Sequence, residues 1–423
     1  MSIFKIKNFS LKDKIAYYKY NNIQNYIFGF LILGSIATSI SYRTSFFNAT
    51  LLLACIVFYL IPNKSFDFKN SSKVIKYWVY VIFAYSFIWL LSIYNTDGSS
   101  SSDYEKPIKM LAIALIAIQL YKINISYRFV MYGMVGCIFI VFAYTLSHNY
   151  ARLELEMNAG TAAYQLSIPV LLCLSFLFFK KDIKFSEKFL LVLASSIGFF
   201  VLSQTQTRGA VVVIFVYFLI VFVIKLYQMN RNKRIYFSVA AIFIACLTAY
   251  SISSIPVVDH RIKATIKDIK LIQSGNLQGS IGRRIALYHV SFEAIKNPTL
   301  LGGGENSLIN LKRYIASMDN GDSYKFLEAN LHFHNEYLDH FTKRGVIGLI
   351  TFIFLLLLPI IYADKSKRPF LLAVIIPLAI GGMIETPFNN SNFEMNFPLY
   401  VTFILIMKDT TLFHRLFDRS IKG

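Results

Sequence analysis

The chain has 423 residues, 56% of them hydrophobic and only 16% charged, with 43 Lys and Arg against 23 Asp and Glu for a net charge of +20. A soluble domain would carry nearer a quarter charged residues, so the composition excludes one and calls for a protein embedded in a bilayer. The positive excess falls in the connections on one side of the apolar runs, as membrane orientation and anionic lipids require, and this excludes nucleic acid as its partner.

Twelve apolar runs are long enough, or nearly so, to cross a hydrocarbon core of about 30 Å as helices. In order they are Tyr26 to Tyr42, Phe46 to Ile61, Tyr77 to Tyr94, Pro107 to Tyr121, Phe129 to Leu146, Thr161 to Phe179, Phe189 to Leu202, Gly209 to Ile224, Ile235 to Ile252, Gly345 to Tyr362, Phe370 to Ile384 and Phe397 to Met407. The predicted fold is therefore an all-α polytopic membrane protein of about twelve transmembrane helices. Lys5 to Lys19, Lys64 to Lys76, Lys122 to Arg128, Lys180 to Lys188, Lys225 to Arg234, Lys365 to Arg368 and Lys408 to Lys422 hold 26 of the 43 basic residues. By the positive-inside rule these connections face the cytoplasm, where anionic lipid headgroups attract them. No signal peptide is expected, because the basic start lacks a small-residue cleavage site. Cys55, Cys137, Cys173 and Cys246 all fall in apolar runs and are expected to be buried free thiols.

The opposite side holds the candidate chemistry. Asn95 to Lys106 is a polar loop, and Lys109 follows it at the start of a run. Ser147 to Gly160 is a second loop, carrying Arg152. Ser203-Gln-Thr-Gln-Thr-Arg-Gly209 is a tight turn that places Arg208 on the side where positive charge is disfavoured. A guanidinium offers a rigid fork of donors suited to phosphate, and Thr205, Gln206 and Thr207 could add to it. The bland reading of Arg208, Lys109 and Arg152 is snorkelling to headgroups.

Three sequence divisions follow: residues 1–252 as nine membrane helices, 253–344 as a partly helical outer loop, and 345–423 as the last three helices and a tail. The loop is too long to be structureless, and Ile262 to Ile272 and Arg284 to Ile295 have helical periodicity, so helices lying along the membrane surface are expected. In Gly282-Arg-Arg-Ile-Ala-Leu-Tyr-His-Val-Ser291, the spacing puts Arg284, Tyr288 and Ser291 on one helix face, and Arg283 about 100° away. Gly302 to Gly304 reads as a turn, since no Lys and Ser or Thr follow to make a phosphate loop. Asn330 to His340 then packs His332, His334 and His340 with Glu336 and Asp339 at the mouth of a membrane helix. Histidine can take a proton near neutral pH, and a carboxylate beside it can fix its tautomer. A structural histidine capping the helix is the alternative.

Thr205-Gln-Thr-Arg208, Gly282 with Arg284 and Tyr288, Pro298 with Gly302 and Gly304, and His334-Asn-Glu336 followed by Gly345 and Gly348 resemble, in order and spacing, the O-antigen ligase and polymerase superfamily, most of all its enterobacterial ligases. The resemblance implies a glycosyltransferase C-like membrane fold with one large periplasmic loop in the bacterial inner membrane. It further implies transfer of a glycan from undecaprenyl diphosphate to lipid A-core on the periplasmic face, without nucleotide, metal or other cofactor. The family's arginines correspond to Arg208 and Arg284 and its histidine to His334. Arg283, beside the matched arginine, departs from the pattern and leaves open which of the two acts. Lys109, Arg152, Arg283, Tyr288, Asn335, Glu336 and His332 are expected to bind substrate.

That chemistry suits the residues taken alone. Displacing a lipid diphosphate from a sugar C1 needs the leaving charge stabilised and the attacking hydroxyl deprotonated, roles open to arginine and histidine. An O-antigen polymerase and a protein O-oligosaccharyltransferase would use the same donor with another acceptor. A transporter of lipid-linked glycans would more typically set its ionisable residues near mid-membrane.

Overall fold

The computed structural model describes residues 11–40, 44–60, 71–96, 101–121, 123, 125–148, 152–155, 157–230, 234, 256–295, 299–304, 307–317, 327 and 333–408. Among them the secondary structure is helical apart from one isolated bridge between Ser126 and Lys408. The first eight helices are α1 (Leu11–Ala37), α2 (Thr44–Leu60), α3 (Lys73–Tyr94), α4 (Ser101–Leu120), α5 (Tyr127–Ser147), α6 (Ala159–Phe179), α7 (Phe185–Gln204) and α8 (Arg208–Gln228). They are followed by α9 (Pro256–Gln273), α10 (Ser280–Ile295), α11 (Ser307–Ser317), α12 (Glu336–Tyr362), α13 (Arg368–Gly381) and α14 (Ser391–Ile406).

Helices α3, α5, α6, α7, α8 and α12 are long and apolar enough to cross a membrane, and α13 with the apolar parts of α1 and α2 are shorter apolar helices. In hydrocarbon only a helix satisfies its own backbone, so apolar runs translate into helices with little ambiguity. The chain is a multi-pass membrane protein, and each predicted run falls mostly on one helix, Tyr26 to Tyr42 and Phe370 to Ile384 extending past the ends of α1 and α13, while Ile235 to Ile252 falls outside the described residues together with Cys246. Cys55, Cys137 and Cys173 are buried free thiols.

Helix α6 is buried along nearly its whole length and packs against α5, α7, α8 and α13. Around it, α1 packs on α5, α3 on α4 and α12, and α14 on α4. The predicted cytoplasmic segments meet at one end of this bundle: Tyr127 donates to the Asp182 carbonyl at 3.1 Å, Arg128 pairs with Glu187 at 2.7 Å, Lys225 reaches Phe178 O at 2.6 Å, and Lys408 N–H donates to Ile125 O at 2.9 Å. At the other end the polar loops gather, with Arg152 donating to the Thr205 carbonyl and Ser92 to that of Lys343.

Helix α12 begins nine residues before its apolar run, at Glu336 instead of Gly345. Its first turns carry Glu336, Asp339, His340, Lys343 and Arg344, all buried against protein and not lipid. Lys343 pairs with Asp339 at 3.0 Å, and the Arg344 guanidinium lies 3.7 Å over the Trp89 ring. At Gly345 the backbone turns to φ 68°, which interrupts the helical ladder. The amides of Val346 and Ile347 donate instead to the carbonyls of Thr299 and Leu300, at 3.2 and 3.3 Å. The glycine-rich turn is thus docked on the kink: Gly303 N–H donates to Thr342 O at 2.9 Å, and a Cβ at Gly302 would run into the Lys343 carbonyl carbon.

Between α8 and α12, α10 packs on both α9 and α11, with a small core of Ala286, Leu287, Val290, Leu311, Ile315, Leu327 and Phe333. This core is separate from that of the membrane bundle, and it carries the first turn of α10 toward the start of α12.

Candidate active site

Helix α12 opens on Asn335, whose side-chain oxygen accepts from the amides of Tyr337 and Leu338 at 3.0 and 3.1 Å. This N-cap satisfies two of the donors that a helix start leaves open. The Asn335 amide group turns the other way and donates to Met383 O at 3.4 Å. Its polar atoms therefore build the site, where the sequence suggested contact with substrate. The preceding residue, His334, is held at φ 45°, a conformation few non-glycine residues adopt and one found where structure over-determines it.

The ring meets Glu385, in the turn between α13 and α14. His334 Nδ1 lies 3.0 Å from Glu385 Oε2, and Arg284 Nη2 lies 3.1 Å from Glu385 Oε1. One carboxylate thus bridges the two candidate residues of the loop. Its side chain is about 10% exposed, while those of His334 and Arg284 are 28% and 29% exposed. A carboxylate on Nδ1 selects the tautomer with the proton there, leaving Nε2 as the basic nitrogen. Glu385 also sits at the start of α6, where a Cβ added to Gly160 would lie 3.1 Å from its Cγ, so the positive end of that helix faces the carboxylate.

Arg284 projects from the first turns of α10, and its Nε is buried without a hydrogen-bond partner. Tyr288, one turn on, places its hydroxyl 2.7 Å from Met383 O and 3.4 Å from His334 O, tying α10 to both segments that carry the pair. A pocket of about 290 Å³ opens here, lined by Gln278, Ser280, Arg283, Arg284 and His334. Arg283 shares the pocket although the helical angle sets it about 100° from Arg284. The pocket lies at the start of the helix, and the Arg283 Nε is drawn back 3.0 Å from the Gln278 carbonyl in the preceding loop.

Arg208 is the first residue of α8. It is half-buried, and its guanidinium has neither a hydrogen bond nor an ion pair among the described residues. Its turn is built by its neighbours. Thr205 Oγ1 donates to Leu202 O at 2.7 Å, Gln206 takes φ 51°, and Thr207 Oγ1 donates to Ala159 O at 3.1 Å. The two threonine hydroxyls are therefore spent on the backbone instead of on an anion. Gly209 follows because any Cβ would strike the Tyr164 hydroxyl, and a Cβ at Gly381 would press on the same ring at 2.7 Å. Tyr164, buried in α6, thus separates the start of α8 from the end of α13, and Arg208 does not line the described pocket.

The other predicted residues stand apart. Arg152 is exposed and fixes the turn before Arg208 through its bond to Thr205 O at 2.9 Å. Lys109 forms an ion pair with Glu105 one turn away on α4. Glu336 is fully buried and does not line the pocket. His332 lies outside the described residues. Among the described residues, the cluster of Glu336, Asp339 and His340 has metal-ligand closeness, but Lys343 and Arg344 already stand 3.0 and 3.9 Å from Asp339 to balance its charge. Glu385 was missed from sequence. The signal on offer was a carboxylate at the outer end of an apolar run, in Gly381-Gly-Met-Ile-Glu385.

With this geometry in place, comparison with known proteins gives concordant results. The family model described as O-antigen ligase matches residues 189–353, which include Arg208, Arg284 and His334 but stop short of Glu385. The chain is 25% identical over 332 residues to an uncharacterized protein of Haemophilus influenzae, covering 75% of this chain and 80% of that one. It is 21% identical over 396 residues to the O-antigen ligase of Escherichia coli K12, covering 90% of each. The resemblance to the O-antigen ligase superfamily drawn from the sequence is borne out by these matches.

Proposed function

We propose that this protein transfers a glycan from an undecaprenyl diphosphate donor to lipid A-core at the periplasmic face of the bacterial inner membrane, completing lipopolysaccharide. The observation that carries this reading is the Arg284–Glu385–His334 bridge, which presents a base and a cation to one pocket. In the reaction, His334 Nε2 takes the proton of an acceptor hydroxyl as its oxygen attacks the sugar C1. The bond from C1 to the diphosphate oxygen breaks, and its electron pair leaves with undecaprenyl diphosphate. Glu385 stabilises the imidazolium formed on His334, which then releases its proton to solvent.

Arg284 meets the leaving diphosphate from α10, and Arg283 supplies further positive charge to the same pocket; Arg208, at the start of α8 across Tyr164 from that pocket and without a hydrogen bond or ion pair among the described residues, is left to hold the part of the lipid diphosphate that extends beyond it. These guanidinium groups answer the developing charge, so the step needs no metal, nucleotide or other cofactor. The placement outside rests on the positive-inside rule, because the pocket is at the end opposite the basic connections. Electrophoresis of lipopolysaccharide from a strain lacking the protein tests the acceptor. Core without O-antigen, with polymerised glycan held on undecaprenyl diphosphate, is expected; core bearing a single repeat unit would point to a polymerase instead.

A further inference from the structure

The mechanism leaves unused a carboxylate two residues after the catalytic histidine. Glu336 is fully buried, so it cannot meet substrate. Apart from His340, whose Nδ1 lies 3.2 Å from its Oε1 and 2.8 Å from its carbonyl oxygen, its polar contacts reach the turn that carries Glu385. Glu336 Oε2 accepts the Phe388 amide at 2.9 Å, and the Glu336 amide donates to Gly382 O at 2.6 Å. These contacts fall three residues on either side of Glu385. They bracket the segment whose one carboxylate bridges His334 and Arg284.

The surrounding packing supports a fixed distance between the two segments. A Cβ at Gly382 would lie 3.0 Å from the Glu336 Cβ and 2.6 Å from Leu378 O, so a side chain there would push the turn off α12. Phe388, whose amide Glu336 holds, is itself buried, its ring centroid 5.7 Å from that of Phe352 and 6.1 Å from that of His340.

We propose that Glu336 is a positioning residue, which clamps residues 382–388 to the start of α12 so that Glu385 faces His334 and Arg284. The proposal rests on the reading that this pocket carries the glycan transfer. Misplacing a catalytic group by about 1 Å can cost on the order of a hundredfold in rate. Loss of the clamp should therefore lower kcat and leave the arginines that hold the donor in place.

The test compares the full-length wild type with Glu336→Met, which fills the space without an acceptor, and Glu336→Gln, which keeps a carbonyl for the Phe388 amide. Asp339→Asn perturbs the same buried charges without touching the turn. Two quantities are read: hydrogen exchange of the peptide spanning 382–390, and kcat and KM for undecaprenyl-diphosphate glycan. The Met variant should exchange at least about tenfold faster over that peptide and lose about 10- to 100-fold in kcat, with donor KM changed less than about threefold. Gln should restore protection and most of the rate, and Asp339→Asn should keep both. If the Met variant fails to fold, Gly382→Ala, which forces the same segments apart, takes its place with the same expectation. Unchanged exchange in the Met variant, faster exchange with wild-type kcat, or a Gln variant as impaired as Met would overturn the clamp. A wild type with normal protection but no transfer would instead overturn the reading of the pocket.

Discussion

Glu385→Ala removes the carboxylate that lies 3.0 Å from His334 Nδ1 and 3.1 Å from Arg284 Nη2. The side chain is about 10% exposed, so solvent and salt screen these contacts weakly. A hydrogen bond to a charged group contributes roughly 1.5–3 kcal/mol, and the contact with His334 is at full strength only once the ring has taken the acceptor proton. Losing it should raise the barrier by that amount, which is about 10- to 150-fold in kcat at about 1.4 kcal/mol per decade. Donor KM should move the other way or not at all, because Arg284 loses a resident anion that competes with diphosphate. Glu385→Gln, able to accept from Nδ1–H but not to offset an imidazolium, should fall between. Initial rates against donor concentration at saturating acceptor, with purified protein in liposomes, separate the two parameters. A Glu385→Ala protein with wild-type kcat, or one whose whole defect is in KM, would refute the assignment.

His334→Ala should lower kcat by about a hundredfold to ten-thousandfold in the same assay. His340→Ala should instead keep its rate per folded molecule and lose stability by about 2–4 kcal/mol, because the buried ring bonds the Tyr85 hydroxyl at 2.5 Å and packs 4.1 Å from Phe352; thermal unfolding in detergent reads this. Arg208→Lys and Arg284→Lys keep the charge but lose the fork, so each should lower kcat/KM by at least about tenfold, whereas a lysine that merely snorkels would leave activity intact. Arg283→Ala should raise donor KM, since the side chain lines the pocket. Gly345→Ala should destabilise by about 1–3 kcal/mol, because φ is 68° and the new Cβ would meet the Leu300 carbonyl, and its unfolding midpoint should drop.

The membrane helices were legible because hydrocarbon forces an apolar run to be a helix. Their polar beginnings were not. Glu336 to Arg344 resembles loop sequence, yet it is helical because Asp339, Lys343 and Arg344 balance one another inside the protein and Trp89 covers the guanidinium. Asn335 and Glu336 were read as substrate ligands from their place beside His334. A helix start has its own demands, and the structure spends one on the N-cap and the other on the Phe388 amide. Glu385 was hidden by distance, 51 residues from His334 and 101 from Arg284. A single carboxylate after an apolar run is indistinguishable from an interfacial charge until the fold brings it to its partners. The helical angle misjudged Arg283 because an arginine at a helix start can be drawn back toward the loop before it, as the Gln278 carbonyl draws this one.

The central claim is that this pocket moves a glycan from a lipid diphosphate to lipid A-core with His334 as the base. The most direct measurement supplies purified protein in liposomes with undecaprenyl-diphosphate glycan and lipid A-core, in EDTA, and follows the glycan by gel electrophoresis and mass spectrometry. Glycan joined to lipid A-core by the wild type, with release of undecaprenyl diphosphate and no such product from His334→Ala, is the predicted result. Lengthening of the lipid-linked glycan with no lipid A-core product, or equal product from the His334→Ala protein, would contradict it.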